Sequence, residues 1–199
     1  MGSCAYSRAA TLSYAPGECI VEAGTEAGPE RGEGSTAYLA ALAADRGVPF
    51  YSIDVDPAAT ERARNIEGAR VLPGRAEENL AGWGGPLIKF AWLDGYDWPY
   101  SWCAGEAWFT AQQAQYAARG DNVTEEASMA SHLAIAGKID PLTRPGAMVV
   151  FDDTWRDGNR WRGKGGTAVP WLLGTEGWHL SGVVDGIEPR DGYACLEKI

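Results

Sequence analysis

The chain has 199 residues, 45% of them hydrophobic, enough to bury the core of one α/β domain without disulfide or metal staples. Its 27 acidic against 17 basic residues give a net charge of −10, which disfavours phosphate backbones and anionic lipid, so neither nucleic acid nor a membrane surface is an expected partner. Cys4, Cys19, Cys103 and Cys195 form no C-x-x-C pair, no signal-peptide core opens the chain, and no apolar run approaches the roughly 20 residues that span a bilayer, so a soluble cytoplasmic protein is expected.

In chain order, an apolar run at Cys19-Ile-Val-Glu22-Ala is the first expected strand. It opens onto a loop where Gly24, Gly28, Gly32 and Gly34 let backbone N–H groups approach a ligand closely. Ser35 is the expected cap of a helix with apolar positions at Tyr38, Leu39, Leu42 and Ala43 and a stop at Gly47. Residues 48–54 make a second strand ending in Asp54-Val-Asp56-Pro57, and a carboxylate at such a tip can grip two ribose hydroxyls. Asp56-Pro57 starts a short helix reaching about Asn65, and Ala69 to Pro73 reads as a third strand.

A weak helix from Glu77 to Trp83 leads to a fourth strand at Ile88 to Asp94. A helix from Val123 to Ile139 precedes a fifth strand at Ala147 to Asp152. After a glycine-rich segment and a helix around Ala168 to Leu173, strands at Trp178 to Val184 and Tyr193 to Lys198 flank a turn at Asp185-Gly186, an antiparallel closing hairpin. The alternation of strands and helices predicts a parallel, Rossmann-like α/β sheet in one domain spanning 1–199.

Between the fourth strand and the helix at 123 lies an aromatic-rich insertion at about 99–122, preceded by Trp98. Loops of this length are functional or disordered, and aromatic content argues against disorder. It is expected either to form a lid over an acceptor pocket or to cover core, including at a homodimer contact. Asp94 and the pair Asp152-Asp153 end adjacent parallel strands, so all three carboxylates emerge at the carboxyl edge, where α/β ligands bind. Strand-end aspartates also cap helices or bond loop amides, but three together favour a divalent cation such as Mg²⁺.

These features resemble class I S-adenosylmethionine-dependent methyltransferases from Glu18 to Ile199, and are most similar to the metal-dependent macrocin and catechol O-methyltransferase-like groups. Glu22-Ala-Gly24-Thr25 and Gly34-Ser35 match the cofactor loop, and Asp54 matches the ribose acid. Gly74-Arg75-Ala76 falls at the adenine contacts, while Leu93-Asp94-Gly95 and Phe151-Asp152-Asp153 match the metal-binding strand ends. The resemblance implies a seven-stranded, mostly parallel sheet with an antiparallel last strand and helices on both faces. It also implies S-adenosyl-L-methionine as cofactor, Mg²⁺ or another divalent ion on Asp94, Asp152 and Asp153, and O-methylation of a small-molecule hydroxyl. Asp94 would serve cofactor and metal alike, and Asp97 or His132 would accept the proton. The chain departs from the pattern by an insertion, Glu26 to Arg31, in the cofactor loop, by Gly95-Tyr96-Asp97-Trp98 after strand four, and by nearly lacking N-terminal helices over the substrate.

Competing readings exist. Gly32-x-Gly34-x-x-Ala37 with Asp54 downstream fits a looser dinucleotide fingerprint and so an NAD-dependent oxidoreductase, though the carboxylates at two other strand ends serve a cation better than a hydride transfer. A non-catalytic cofactor-binding module would keep the glycine loop without needing those acids. Gly158 to Lys164 reads G-x-x-x-x-G-K, but Gly165 replaces the required Ser or Thr, so a mobile loop is expected, with Lys164 a candidate contact for an anionic substrate group. His132 shares a helical stripe with Ser128 and Glu125 that can face the site, but it reads more readily as a hydrogen-bonded structural histidine, and His179 also reads as structural.

Overall fold

The computed structural model of the protein describes residues 5–26, 34–184 and 192–199. Cys4, Gly28, Gly32 and the Asp185-Gly186 turn lie outside them. Strand β1 (Glu18–Ala23) is buried along all but its first residue, as a central strand covered on both faces must be. It pairs in parallel with β2 (Phe50–Asp54) and β4 (Leu87–Leu93), beyond which lie β3 (Ala69–Pro73) and β5 (Met148–Phe151). Strand β9 (Tyr193–Lys198) then runs antiparallel between β5 and β8 (Trp178–Val184), completing the order β3-β2-β1-β4-β5-β9-β8. This seven-stranded sheet is the expected one, and its antiparallel strand sets it apart from the 3-2-1-4-5-6 order of the dinucleotide-binding fold.

Alternate residues of the strands feed two cores. On one face Val21, Leu93, Val149 and Phe151 pack with α3 (Ala76–Ala81), α5 (Glu125–Ile139) and α6 (Ala168–Gly174) through Leu80, Ile135 and Leu172. On the other, Ile20, Phe50, Phe90 and Val150 pack with Leu39 and Ala43 of α1 (Ser35–Arg46). Each such large aliphatic or Phe side chain contributes about 1.5–3 kcal/mol by leaving water. Between β2 and β3, α2 (Pro57–Ala63) begins as expected, with Asp56 accepting the Ala58 N–H at 3.0 Å.

Three local expectations change. Gly34, not Ser35, is the N-cap of α1, because the Ser35 hydroxyl is turned inward and donates to Glu22 Oε1 at 2.5 Å. The segment expected as a mobile loop is a hairpin, β6 (Thr154–Asp157) and β7 (Arg160–Gly163), joined by Gly158-Asn159. Its alternating Trp and Arg residues zip the strands, with Arg156 over the Trp161 ring. The aromatic insertion is organised by α4 (Ala107–Ala118), whose Phe109 and Tyr116 join Cys103 and Val123 in a small core of their own.

Candidate active site

At the carboxyl edge the tips of β1, β2, β3 and β4 open onto one cavity of about 360 Å³, closed on its far side by α4 and α5. Gly24 and Thr25 follow β1 into its wall, Asp54 and Asp56 follow β2, Gly74, Arg75 and Ala76 follow β3, and Asp94 to Asp97 follow β4. The tips are locked to one another by backbone bonds: Gly24 N–H to Ile53 O at 2.9 Å, Asp94 N–H to Ala23 O at 2.8 Å, and Gly74 N–H to Asp54 O at 2.8 Å. Four loops are thus held in one register by the sheet beneath them.

Asp54 Oδ2 accepts the Thr25 N–H at 2.7 Å and Oδ1 accepts the Asp56 N–H at 2.7 Å. Burial raises its carboxyl above the ordinary range despite these two bonds. Glu22, near the end of β1, has its carboxylate accepting hydroxyl bonds from Ser35 at 2.5 Å, Thr36 at 2.8 Å and Ser52 at 2.7 Å. Complete burial pushes its carboxyl up to about 7, against the lowering effect of those three donors. Glu22 and Ser35 therefore tie the end of β1 to the start of α1 rather than lining the cavity, and Gly34 caps that helix. Arg75 crosses the mouth to bond Asp121, just beyond α4.

The three strand-end acids converge. Asp94, Asp152 and Asp153 each place one oxygen within 4.8 Å of the others. Between them stands a group that sequence reasoning assigned elsewhere: Lys164 Nζ lies 2.5 Å from Asp94 Oδ1 and 2.9 Å from Asp153 Oδ2. Burial alone would lower this ammonium's pKa, but Asp153, Asp94 and Asp152 hold it well above the ordinary lysine value. Asp152 is pushed well up by burial and by the neighbouring carboxylates. Asp94 rises to about 6, with burial outweighing the attraction of Lys164. A Mg²⁺ ion binds carboxylate oxygens at about 2.0–2.1 Å. An ion shared by Asp94 and Asp153 would fall where the ammonium is, so the residues as arranged do not fit a divalent cation.

Asp97 reaches the cavity, its carboxylate accepting a bond from Gln112 of α4 while its N–H donates to the Tyr116 hydroxyl at 3.0 Å. Tyr96, just before it, is held at φ 40, a left-handed conformation costing a bulky side chain about 1–3 kcal/mol. Its hydroxyl donates to Asn122 O at 2.7 Å and its carbonyl accepts from Ser128 at 3.1 Å. His132, the other expected base, is wholly buried, with Nδ1 bonded to Ser128 O at 2.8 Å. Burial, reinforced by Lys164, drives its pKa down to about 3, and Ser131 and Ile135, not His132, form the α5 wall of the cavity. Of the two expected bases, Asp97 lines the cavity and His132 does not.

The aromatic insertion lies over this edge. Gln112, Gln115, Tyr116 and Arg119 of α4 line the cavity opposite the strand tips. Tyr100 stacks between Trp102 and Trp155, linking the insertion to the β6–β7 hairpin. Trp102 and Trp108 remain half exposed. The pairing of Lys164 with Asp94 and Asp153, rather than with an anionic substrate group, is set by tertiary contacts with no local sequence signal; for α4, the run from Trp108 to Tyr116 with no Gly or Pro was the available signal.

No protein-family model and no curated protein matches the chain in sequence. Solved structures do match in fold. A proposed rRNA-methylase from Clostridium thermocellum superposes with a TM-score of 0.63 at 14% identity, covering 98% of this chain and 95% of that one. A proposed caffeoyl-CoA O-methyltransferase from Staphylococcus aureus gives 0.56 at 15% identity over 97% and 79% of the two chains. A methyltransferase from Podospora anserina with S-adenosylhomocysteine bound gives 0.56 at 11% identity over 97% and 74%. The chain therefore has the fold of the class I S-adenosylmethionine-dependent methyltransferases.

Proposed function

We propose that the protein is an S-adenosylmethionine-dependent methyltransferase that acts on a hydroxyl group of a small molecule. The observation that carries this reading is the single cavity that unites Gly24 and Thr25, Asp54, the Gly74-Arg75-Ala76 turn and Asp94. These are the positions at which the methyltransferase resemblance puts the methionine, ribose and adenine contacts. When bound, the cofactor supplies a methyl carbon already activated by its sulfonium. The chain's task is then alignment and proton removal. Asp97, on the cavity wall beside Asp94, accepts the hydroxyl proton as the new C–O bond forms and the C–S bond breaks.

The convergence of Asp94, Asp152 and Asp153 favours a second version, in which a divalent ion orients the acceptor oxygen. Lys164 counts against it, and no step here is routed through a metal. A net charge of −10 argues against RNA as acceptor despite the likeness to a proposed rRNA-methylase. Tyr96 and Tyr116 in the cavity wall suit a ring-bearing or otherwise apolar acceptor. An assay of S-adenosylhomocysteine release across phenols, sugar alcohols and amines tests the acceptor class. Turnover of amines alone would move the reading to N-methylation.

A further inference from the structure

We propose that the ammonium of Lys164 is the fixed cation of this site, standing in place of a divalent metal and holding Asp94 and Asp153 in position, so that the protein works without a metal ion. The inference rests on the methyltransferase reading for its role, but its geometry is independent of it.

A lysine is seldom buried unless paired, because its charge must leave water. Lys164 is only 3% exposed, and two carboxylates lie within 2.9 Å of its nitrogen. Asp97 and Asp152 add to the field that keeps it charged. The backbone delivers it to that place. Immediately before it, Gly163 sits at φ 79 with its Cα against the Asp153 carbonyl, where any Cβ would collide. The Lys164 N–H donates to that same carbonyl at 3.0 Å. Just after it, the Gly165 N–H donates to Thr154 Oγ1 at 2.8 Å, and the Thr154 hydroxyl donates to Asp152 O at 2.9 Å. The β6–β7 hairpin thus loops out from the acids at the end of β5 and returns a positive charge to them. Asp153 itself is held in the left-handed region at φ 47, an arrangement that turns the tip of β5 back toward the hairpin.

A divalent ion offered to Asp94 and Asp153 meets a positive charge already in van der Waals contact with both, and must expel it from a buried position. Removing that charge while keeping the stem's volume leaves three converging carboxylates with no counter-ion, which is the arrangement that attracts a hard cation.

The test is Mn²⁺ binding followed by electron paramagnetic resonance, in the unmodified protein, Asp152→Asn and Lys164→Met, with S-adenosylhomocysteine binding measured by calorimetry on the same samples. The unmodified protein is expected to bind no more Mn²⁺ than Asp152→Asn and to bind S-adenosylhomocysteine equally in chelator. Lys164→Met is expected to gain Mn²⁺ affinity by about tenfold or more. Mn²⁺ bound by the unmodified protein and lost in Asp152→Asn overturns the proposal, and this comparison decides alone if Lys164→Met does not fold. A folded Lys164→Met that gains no Mn²⁺ affinity also overturns it. Failure to bind S-adenosylhomocysteine in any condition is a different result: it sinks the methyltransferase reading and leaves the cation assignment standing on the Mn²⁺ data.

Discussion

Gly24 packs its Cα directly on the backbone carbonyl of Asp94, so that the loop after β1 and the tip of β4 touch with no room for a side chain between them. The residue also sits at φ 92, outside the range that other residues adopt readily. Gly24→Ala therefore carries two penalties, steric and conformational. It is expected to cost at least about 1–3 kcal/mol in chemical denaturation and to abolish S-adenosylhomocysteine binding, because both cavity walls must shift.

Glu22 gives the protein a pH dependence of known sign. Its folded-state carboxyl, raised to about 7, binds a proton that the unfolded chain releases near its ordinary value of 4.5. Stability from this group is full below the unfolded value and is lost as pH rises through the folded one. The loss amounts to about 3 kcal/mol at most. Glu22→Gln, whose amide can still meet the hydroxyls of Ser35, Thr36 and Ser52, should flatten the decline. Denaturation midpoints of the two proteins at about pH 5 and about pH 8 measure the difference.

Arg75 and Asp121 bridge the cavity mouth from β3 to the end of α4, with side chains 32% and 17% exposed. Solvent screening limits such a pair to about 1 kcal/mol of stability. Asp121→Asn should accordingly leave the melting temperature almost unchanged while raising the dissociation rate of S-adenosylhomocysteine several-fold. Stopped-flow tryptophan fluorescence reads that rate, and added salt should shift the unmodified protein in the same direction.

Replacing residues 99–122 with a short Gly-Ser linker separates the insertion from the sheet. Its core of Cys103, Phe109, Tyr116 and Val123 is distinct from the two cores that flank the strands, so a cooperative melt should survive. Because Gln112, Gln115 and Tyr116 line the cavity, S-adenosylhomocysteine affinity should fall as well as acceptor turnover. Unchanged cofactor affinity would show that α4 serves the acceptor alone.

The five parallel strands were legible because each is a short, largely apolar run ending at Gly or Asp, as at Val21 to Gly24 and Phe90 to Asp94. The parallel order followed from the alternation, and the carboxyl-edge position of Asp54, Asp94 and Asp152 followed from the order. The hairpin was not legible: four glycines among Gly158, Gly163, Gly165 and Gly166 hide two four-residue strands, which are fixed by cross-strand Trp and Arg contacts. The carboxylate partners of Lys164 were hidden for the same reason, since they lie 70 and 11 residues away in sequence. Ser35 and Glu22 were recognised as belonging to the cofactor loop, but local sequence carries no sign that they bond each other.

The most direct test of the account is a calorimetric titration of S-adenosylhomocysteine into the unmodified protein and into Asp54→Ala. Charge-assisted hydrogen bonds of the kind Asp54 can make to ribose are worth about 1.5–3 kcal/mol each. The unmodified protein should bind one-to-one, and the variant should lose more than about tenfold in affinity. Absence of S-adenosylhomocysteine and S-adenosylmethionine binding, together with clear binding of NADH, would contradict it.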